Sequence, residues 1–205
     1  MLERSFDAAR AAGSVHIVGG MKSPTLSQKL LQDAGAAGGS QDITGEHVHA
    51  HVRVIGSNTY VRGDDAATLS GFFGLSASVA SAYAGRWIHP AAGSDLYEAA
   101  TEGVRLADVL AEVQEGAVTK VLGEQTRQGQ LVVGLAGTAT VPDQSGPVQF
   151  TFWIRATGAP LPVEQDATLG PATTSVEVFS DWGEPIHVSA PSGSLAMGAA
   201  AATTG

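Results

Sequence analysis

No cysteine occurs in the 205 residues, which removes disulfides, thiolate metal sites, cysteine nucleophiles and thiol redox sensing together. The compartment stays open, because a chain of this length buries roughly 70% of its unfolded surface without cross-links. Positive charge is scarce: 11 Lys and Arg stand against 20 Asp and Glu, a net charge of −9. Beyond Arg155 no Lys or Arg follows, while Glu164, Asp166, Glu177, Asp181 and Glu184 do. That balance argues against nucleic acid as a partner. Charged residues are only 15% and apolar residues 43%, so the chain has the composition of a folded domain, and one core is the expectation. The uncharged run Ala66–Gly85 has the length of a membrane span but is broken by Ser70, Gly71, Gly74, Ser76, Ser78 and Ser81. Met1–Arg10 carries Glu3, Arg4, Asp7 and Arg10 and does not read as a signal peptide. The Gly-x-Ser-x-Gly, His-Glu-x-x-His, Walker and Ser-x-x-Lys signatures do not occur, which lowers the expectation of an enzyme.

Glycine, by contrast, is abundant, with 26 residues falling mostly between short β-like runs. Leu2–Ala12 reads as an amphipathic helix ending at Gly13, with Leu2, Phe6 and Ala9 on one face. Ser14–Gly20 reads as a strand, 26–33 as an ambiguous one, and 35–39 as a loop. In 46–55, Val48, Ala50, Val52 and Val54 alternate with His47, His49, His51 and Arg53, a half-buried strand that turns at Gly56-Ser57-Asn58 into 59–62. Leu69, Phe72, Leu75, Val79 and Tyr83 recur at helical spacing and predict one helix with an apolar face. Asp95 and Glu98 have capping-box spacing, and Leu106, Val109, Leu110 and Val113 form a second stripe ending at Gly116. Strands are then expected at 118–125, 130–138, 148–156, 161–167, 175–180 and 186–188, with Phe150, Phe152 and Ile154 facing one way. Short turns between them favour an antiparallel meander. The layout is α+β, residues 1–190 as one domain and 191–205 as a low-complexity, mobile tail.

The row His47, His49, His51 could clip a metal, since a strand places alternate residues on one face. The alternative is a solvated strand face, because residues two apart sit about 6–7 Å apart and Arg53 continues the row. Gly63-Asp64-Asp65 reads as a turn, adjacent carboxylates pointing apart. Trp87, Trp153 and Trp182 are each either packing anchors or ligand contacts.

The order of several segments resembles the LppX/LprG-type envelope lipoproteins, which share the LolA/LolB-like fold. These are 51–64 (HVRVIGSNTYVRGD), 85–88 (GRWI), 105–110 (RLADVL), 159–163 (APLPV) and 179–186 (FSDWGEPI), closing at Ala190-Pro191. The resemblance covers roughly Ser5–Pro191. It implies a strongly curved antiparallel half-barrel whose concave face is covered by helices, with a cavity that in some members holds acyl chains. It implies no catalytic residue and no cofactor. It further implies an extracytoplasmic place at the cell envelope, attached to the membrane through a lipidated N-terminal cysteine that, like an export signal, is absent from this sequence. The leading expectation is therefore non-enzymatic binding or transport of a lipid or other apolar molecule. The hydrophobic cavity would lie between the stripe Leu69, Phe72, Leu75, Val79, Tyr83, the stripe Leu106, Val109, Leu110, Val113 and the face Phe150, Phe152, Ile154. The alternatives are an envelope interaction or sensor module with a filled barrel and a metal-dependent enzyme on His47, His49 and His51.

Overall fold

The computed structural model describes residues 1–114, 117–140 and 146–198. Helix α1 (Leu2–Ala12) is followed by β1 (Ser14–Lys22), β2 (Ser27–Gly35), β3 (Gly38–Gly45), β4 (Val48–Ile55) and β5 (Asn58–Gly63). Helices α2 (Ala66–Gly71) and α3 (Ala77–Tyr83) lead to β6 (Ile88–Pro90). Helices α4 (Asp95–Thr101) and α5 (Leu106–Gln114) then precede β7 (Ala117–Arg127), β8 (Gln130–Ala139), β9 (Val148–Arg155), β10 (Pro162–Leu169), β11 (Thr173–Ser180) and β12 (Leu195–Met197).

All twelve strands belong to one sheet in the order β12-β6-β5-β4-β3-β2-β1-β11-β10-β9-β8-β7. The pairings are antiparallel except that of β12 with β6. One meander builds outward from β1, the other starts at the far edge with β7 and returns, and β1 and β11 join them. Short turns suffice within each meander, whereas the passage from β6 to β7 must cross the whole sheet and carries α4 and α5 over one face. The sheet does not close on itself, and register shifts in β7–β8 and β9–β10 add to its bending. The chain is thus α+β, a curved antiparallel half-barrel with helices on its concave face, as the sequence led us to expect.

The concave side holds two cores. The first is built from Phe6 and Ala9 of α1, Val15 and Ile17, Leu106, Val109 and Leu110, and Leu135, Phe150, Phe152, Ile154 and Phe179. The second joins Val52, Val54 and Val61 to Leu69, Phe73, Leu75, Ala80, Ile88, Leu96 and Met197. Each fully buried large side chain contributes about 1.5–3 kcal/mol. Between the cores Gln32 is buried and its Nε2 donates to Gly103 O at 2.6 Å, while Gln41 Nε2 donates to Gln32 Oε1 at 3.2 Å. This polar seam ties the α4–α5 connection to β2 and β3. Gly39 permits the approach, since a Cβ there would lie 2.7 Å from Val104 O.

Several local expectations change. The stripe from Leu69 to Tyr83 is two helices, not one: Gly74 adopts a left-handed φ of 70° and Leu75 N–H reaches Leu69 O at 3.1 Å. Phe72 falls in this break and is 40% exposed, and the neighbouring Phe73 is buried in its place. The helical periodicity persisted because both helices serve the same core. Helix α2 is capped by Asp65, which accepts the Thr68 N–H at 2.7 Å, and this bond holds its carboxyl below the ordinary value. The cap of α4 is Ser94, whose Oγ accepts from Tyr97 N–H at 3.3 Å. Asp95 and Glu98 instead occupy the first turn, where the helix dipole favours acids. Residues 35–39 are mostly strand ends, and β3 was not expected, its alternation of Gln41 and Ile43 with Ser40, Asp42 and Thr44 being too polar to stand out. Residues 186–188 form no strand. Within the expected tail, Leu195–Met197 pair with Ile88–Pro90 and Met197 is 2% exposed. Gly116 lies outside the described residues, as do 199–205 of the tail.

Candidate functional site

The strand register lays one continuous row across the helix-bearing face: Leu135, Phe152, Gln165, Glu177, Gly19, Leu30, Ile43, Ala50 and Gly63. Its outer members Leu135, Phe152, Ala50 and Gly63 are buried, but Gln165, Glu177, Gly19, Leu30 and Ile43 are only half-buried. The next row, centred on Ala167, Ser175, Met21 and Gln28, is half-buried as well. Helix α1 packs on β1 and β10, α5 on β2, and α2 and α4 on β4 and β5. Among the described residues, a strip of sheet between the two cores therefore forms a floor that the helices leave half-buried. Among the described residues of the two rows there is no Lys, Arg or His.

Two polar side chains meet at the centre of this floor, whose second row also carries Ser175 and Gln28. Glu177 and Gln165 are direct cross-strand neighbours. Gln165 Oε1 is buried and has no hydrogen-bond partner among the described residues. The Glu177 side chain leans over Gly19, where a Cβ would lie 2.9 Å from its Cγ. It keeps contact with solvent, yet protein atoms crowd it, and desolvation raises its carboxyl above the ordinary value. The sequence did not single out either residue, because the apolar positions of β11 suggest the opposite facing. Val176 and Val178 look like the inward pair, but Phe179, paired with Ile17, is the buried anchor, so Val176 is 44% exposed and Glu177 turns inward. The only available signal was Phe179, one residue out of step with the valines.

The residues expected to line a cavity are shared between the cores. Leu106, Val109, Leu110, Phe150, Phe152 and Ile154 meet in the first. Leu69 and Leu75 belong to the second, with Val79 and Tyr83 partly buried against it, and Phe72 stands outside both. The Val113 side chain lies outside the described residues. A separate open cavity of about 380 Å³ sits at one end of the sheet, lined by 12–14, 35–38, 54–56 and the segment 183–186 with Val188. None of the expected lining residues borders it. Ser14 Oγ donates to Glu184 O at 2.6 Å, which holds that segment across the strand ends.

The histidine row is not a row of three. His47 lies in the β3–β4 turn and is exposed, His49 is exposed on β4, and His51 sits between Asp42 Oδ1 at 2.6 Å and Asp64 Oδ1 at 3.5 Å. Arg62 also pairs with Asp64, at 2.8 Å. Trp87 packs beside His51 with the Arg53 guanidinium 4.8 Å from its ring centre. Trp153 is buried on the outer face, its Nε1 donating to Asp166 at 2.8 Å, under Arg127. Trp182 Nε1 donates to Pro162 O at 2.9 Å and the ring stacks on Phe179. All three tryptophans have packing partners within the chain.

No family model and no curated protein matches this sequence. Solved structures do. The lipoprotein LppX of Mycobacterium tuberculosis is similar with a TM-score of 0.58 at 19% identity, over 92% of this chain and 96% of that one. LprF from Mycobacterium bovis is similar with a TM-score of 0.52 at 16% identity, over 94% and 95%. At these identities the likeness is one of fold, and over nearly its whole length the chain has the LppX/LprG-type fold.

Proposed function

We propose that the protein is a non-enzymatic binder or carrier of a lipid or similarly apolar molecule, held on the concave floor of the half-barrel and working at the outer face of a cell envelope. The observation that carries this reading is the strip from Gln165 to Ile43, which two packed cores flank and which stays half-buried among the described residues. An apolar chain laid along it would bury Leu30, Met21 and Ile43, with α5 and α3 as walls. The likeness in fold, over nearly the whole chain, to LppX, a lipoprotein by its name, supports the same reading. Of the expected lining, Val79 and Tyr83 remain wall candidates, while the leucines and phenylalanines of the two cores act as the backing of those walls. The test is native mass spectrometry, with lipid extraction, of protein purified from its own host. A retained apolar adduct is the expected result; bare protein under conditions that preserve lipid adducts on a control carrier overturns the proposal.

A second reading, an envelope interaction module with a filled half-barrel, is favoured by one observation. Leu69, Leu75, Leu106, Val109, Leu110, Phe152 and Ile154 are each buried against other side chains. It becomes the better account if no adduct is found.

A further inference from the structure

On the reading that the concave floor takes an apolar molecule, we propose that Gln165 and Glu177 form a polar notch that receives the hydroxyl of a neutral long-chain amphiphile. A notch of this kind has a cost that a hydrogen-bonding ligand removes. Gln165 Oε1 is out of contact with solvent and unpartnered among the described residues, and the neighbouring Glu177 carboxyl has no hydrogen bond or ion pair there either. A buried polar group left unpaired costs about 1–3 kcal/mol, so the Gln165 amide oxygen calls for a partner, with the partly solvated Glu177 carboxyl beside it. Gly19, without a side chain, is what lets Glu177 lie over β1 beside Gln165.

The chemistry of the floor selects among head groups. A fatty-acid carboxylate meets an acidic side chain and no cation on the two floor rows, in a chain of net charge −9. A bare hydrocarbon leaves Gln165 Oε1 unsatisfied. An ammonium must give up its hydration to a carboxyl that desolvation already inclines to keep its proton. A hydroxyl both donates and accepts, and so serves the unpartnered amide oxygen of Gln165 as a donor while keeping an acceptor for the neighbouring carboxyl whenever that carries its proton.

The experiment is displacement of 1,6-diphenylhexatriene from the full chain by four compounds sharing one aliphatic chain: oleyl alcohol, 1-octadecene, oleate and oleylamine. Oleyl alcohol is expected to displace the probe at a concentration about tenfold below that of octadecene, which corresponds to two modest hydrogen bonds, with oleate and oleylamine weaker than the alcohol. Glu177→Gln keeps a donor and an acceptor and should keep the preference. The double variant Gln165→Leu/Glu177→Leu should bring the ratio of alcohol to octadecene to about one while octadecene still displaces the probe, as loss of both hydrogen bonds requires. Equal potency of alcohol and octadecene on the unaltered chain overturns the notch, and so does a preference for oleate or for oleylamine; that comparison decides the matter even if the double variant does not fold. If octadecene competes without a preference, the notch alone falls. If the chain takes up neither the probe nor any of the four compounds, the binding function falls and the notch with it.

Discussion

Gly19 and Glu177 lie directly opposite each other on β1 and β11, at the seam where the two halves of the sheet meet, and a Cβ on Gly19 would come within 2.9 Å of Glu177 Cγ and 3.1 Å of Val176 O. The missing side chain is what lets a glutamate lie flat on the concave floor. Gly19→Val should therefore destabilise the fold by about 1–3 kcal/mol through overpacking. Urea unfolding would show it, and truncating the opposing side chain in Gly19→Val/Glu177→Ala should restore part of the loss, a coupling expected only between contacting residues.

The same glutamate should set a pH dependence. Burial raises its carboxyl above the ordinary value of 4.5, so the folded state holds the proton to higher pH than the unfolded state does. The sign follows from linkage: stability is fully present below 4.5 and declines as pH rises through the folded value. Glu177→Gln removes the penalty. Its melting temperature should exceed that of the unaltered chain at neutral pH, and the gap should close as the pH is brought below 4.5. A gap independent of pH would assign the effect to packing.

Enlarging the walls separates a packed core from a groove. Val109 is 7% exposed in the first core, whereas Val79 is only partly buried beside the second. Val109→Phe should cost about 1–3 kcal/mol. Val79→Phe should cost less than ~1 kcal/mol and lower the uptake of an apolar fluorescent probe, since a half-buried site can accommodate the ring. Equal losses in both variants, with no probe uptake by the unaltered chain, would favour the filled module.

The histidines should differ among themselves. His47→Ala and His49→Ala are exposed substitutions and should stay within about 0.5 kcal/mol. His51→Ala removes the partner of Asp42 and a neighbour of Asp64, and should cost about 0.5–1.5 kcal/mol. Thermal melts of the three single variants distinguish this order from a uniform, solvated row.

Met197 ties the last strand to the second core, although the surrounding sequence is low in complexity. Met197→Ala should cost about 2–3 kcal/mol, the lower part of the range for a buried methionine. A variant with unchanged urea stability would return residues 191–198 to the status of a dispensable tail.

What the sequence determined by itself was whatever depends on local pattern. Helix α1 reads from the spacing of Phe6 and Ala9 and its stop at Gly13. The strands from β7 to β11 read from alternation and short turns, and the resemblance of ordered segments such as 179–186 led to the half-barrel. Tertiary structure alone decided which face of a strand is inside. In β1 and β2, Val18 and Leu31 are 44% and 51% exposed, while Gln32 is buried because Gly103 O receives its amide. In β11, pairing of Phe179 with Ile17 turns Val176 outward and Glu177 inward. A strand has a period of two, so one buried anchor fixes the facing of every residue in it, and that anchor is chosen by the neighbouring strand, not by the strand's own composition. For the same reason the apolar stripes were legible as stripes, but their division between two cores, and the half-buried floor left between them, came only from the path of the chain across the sheet.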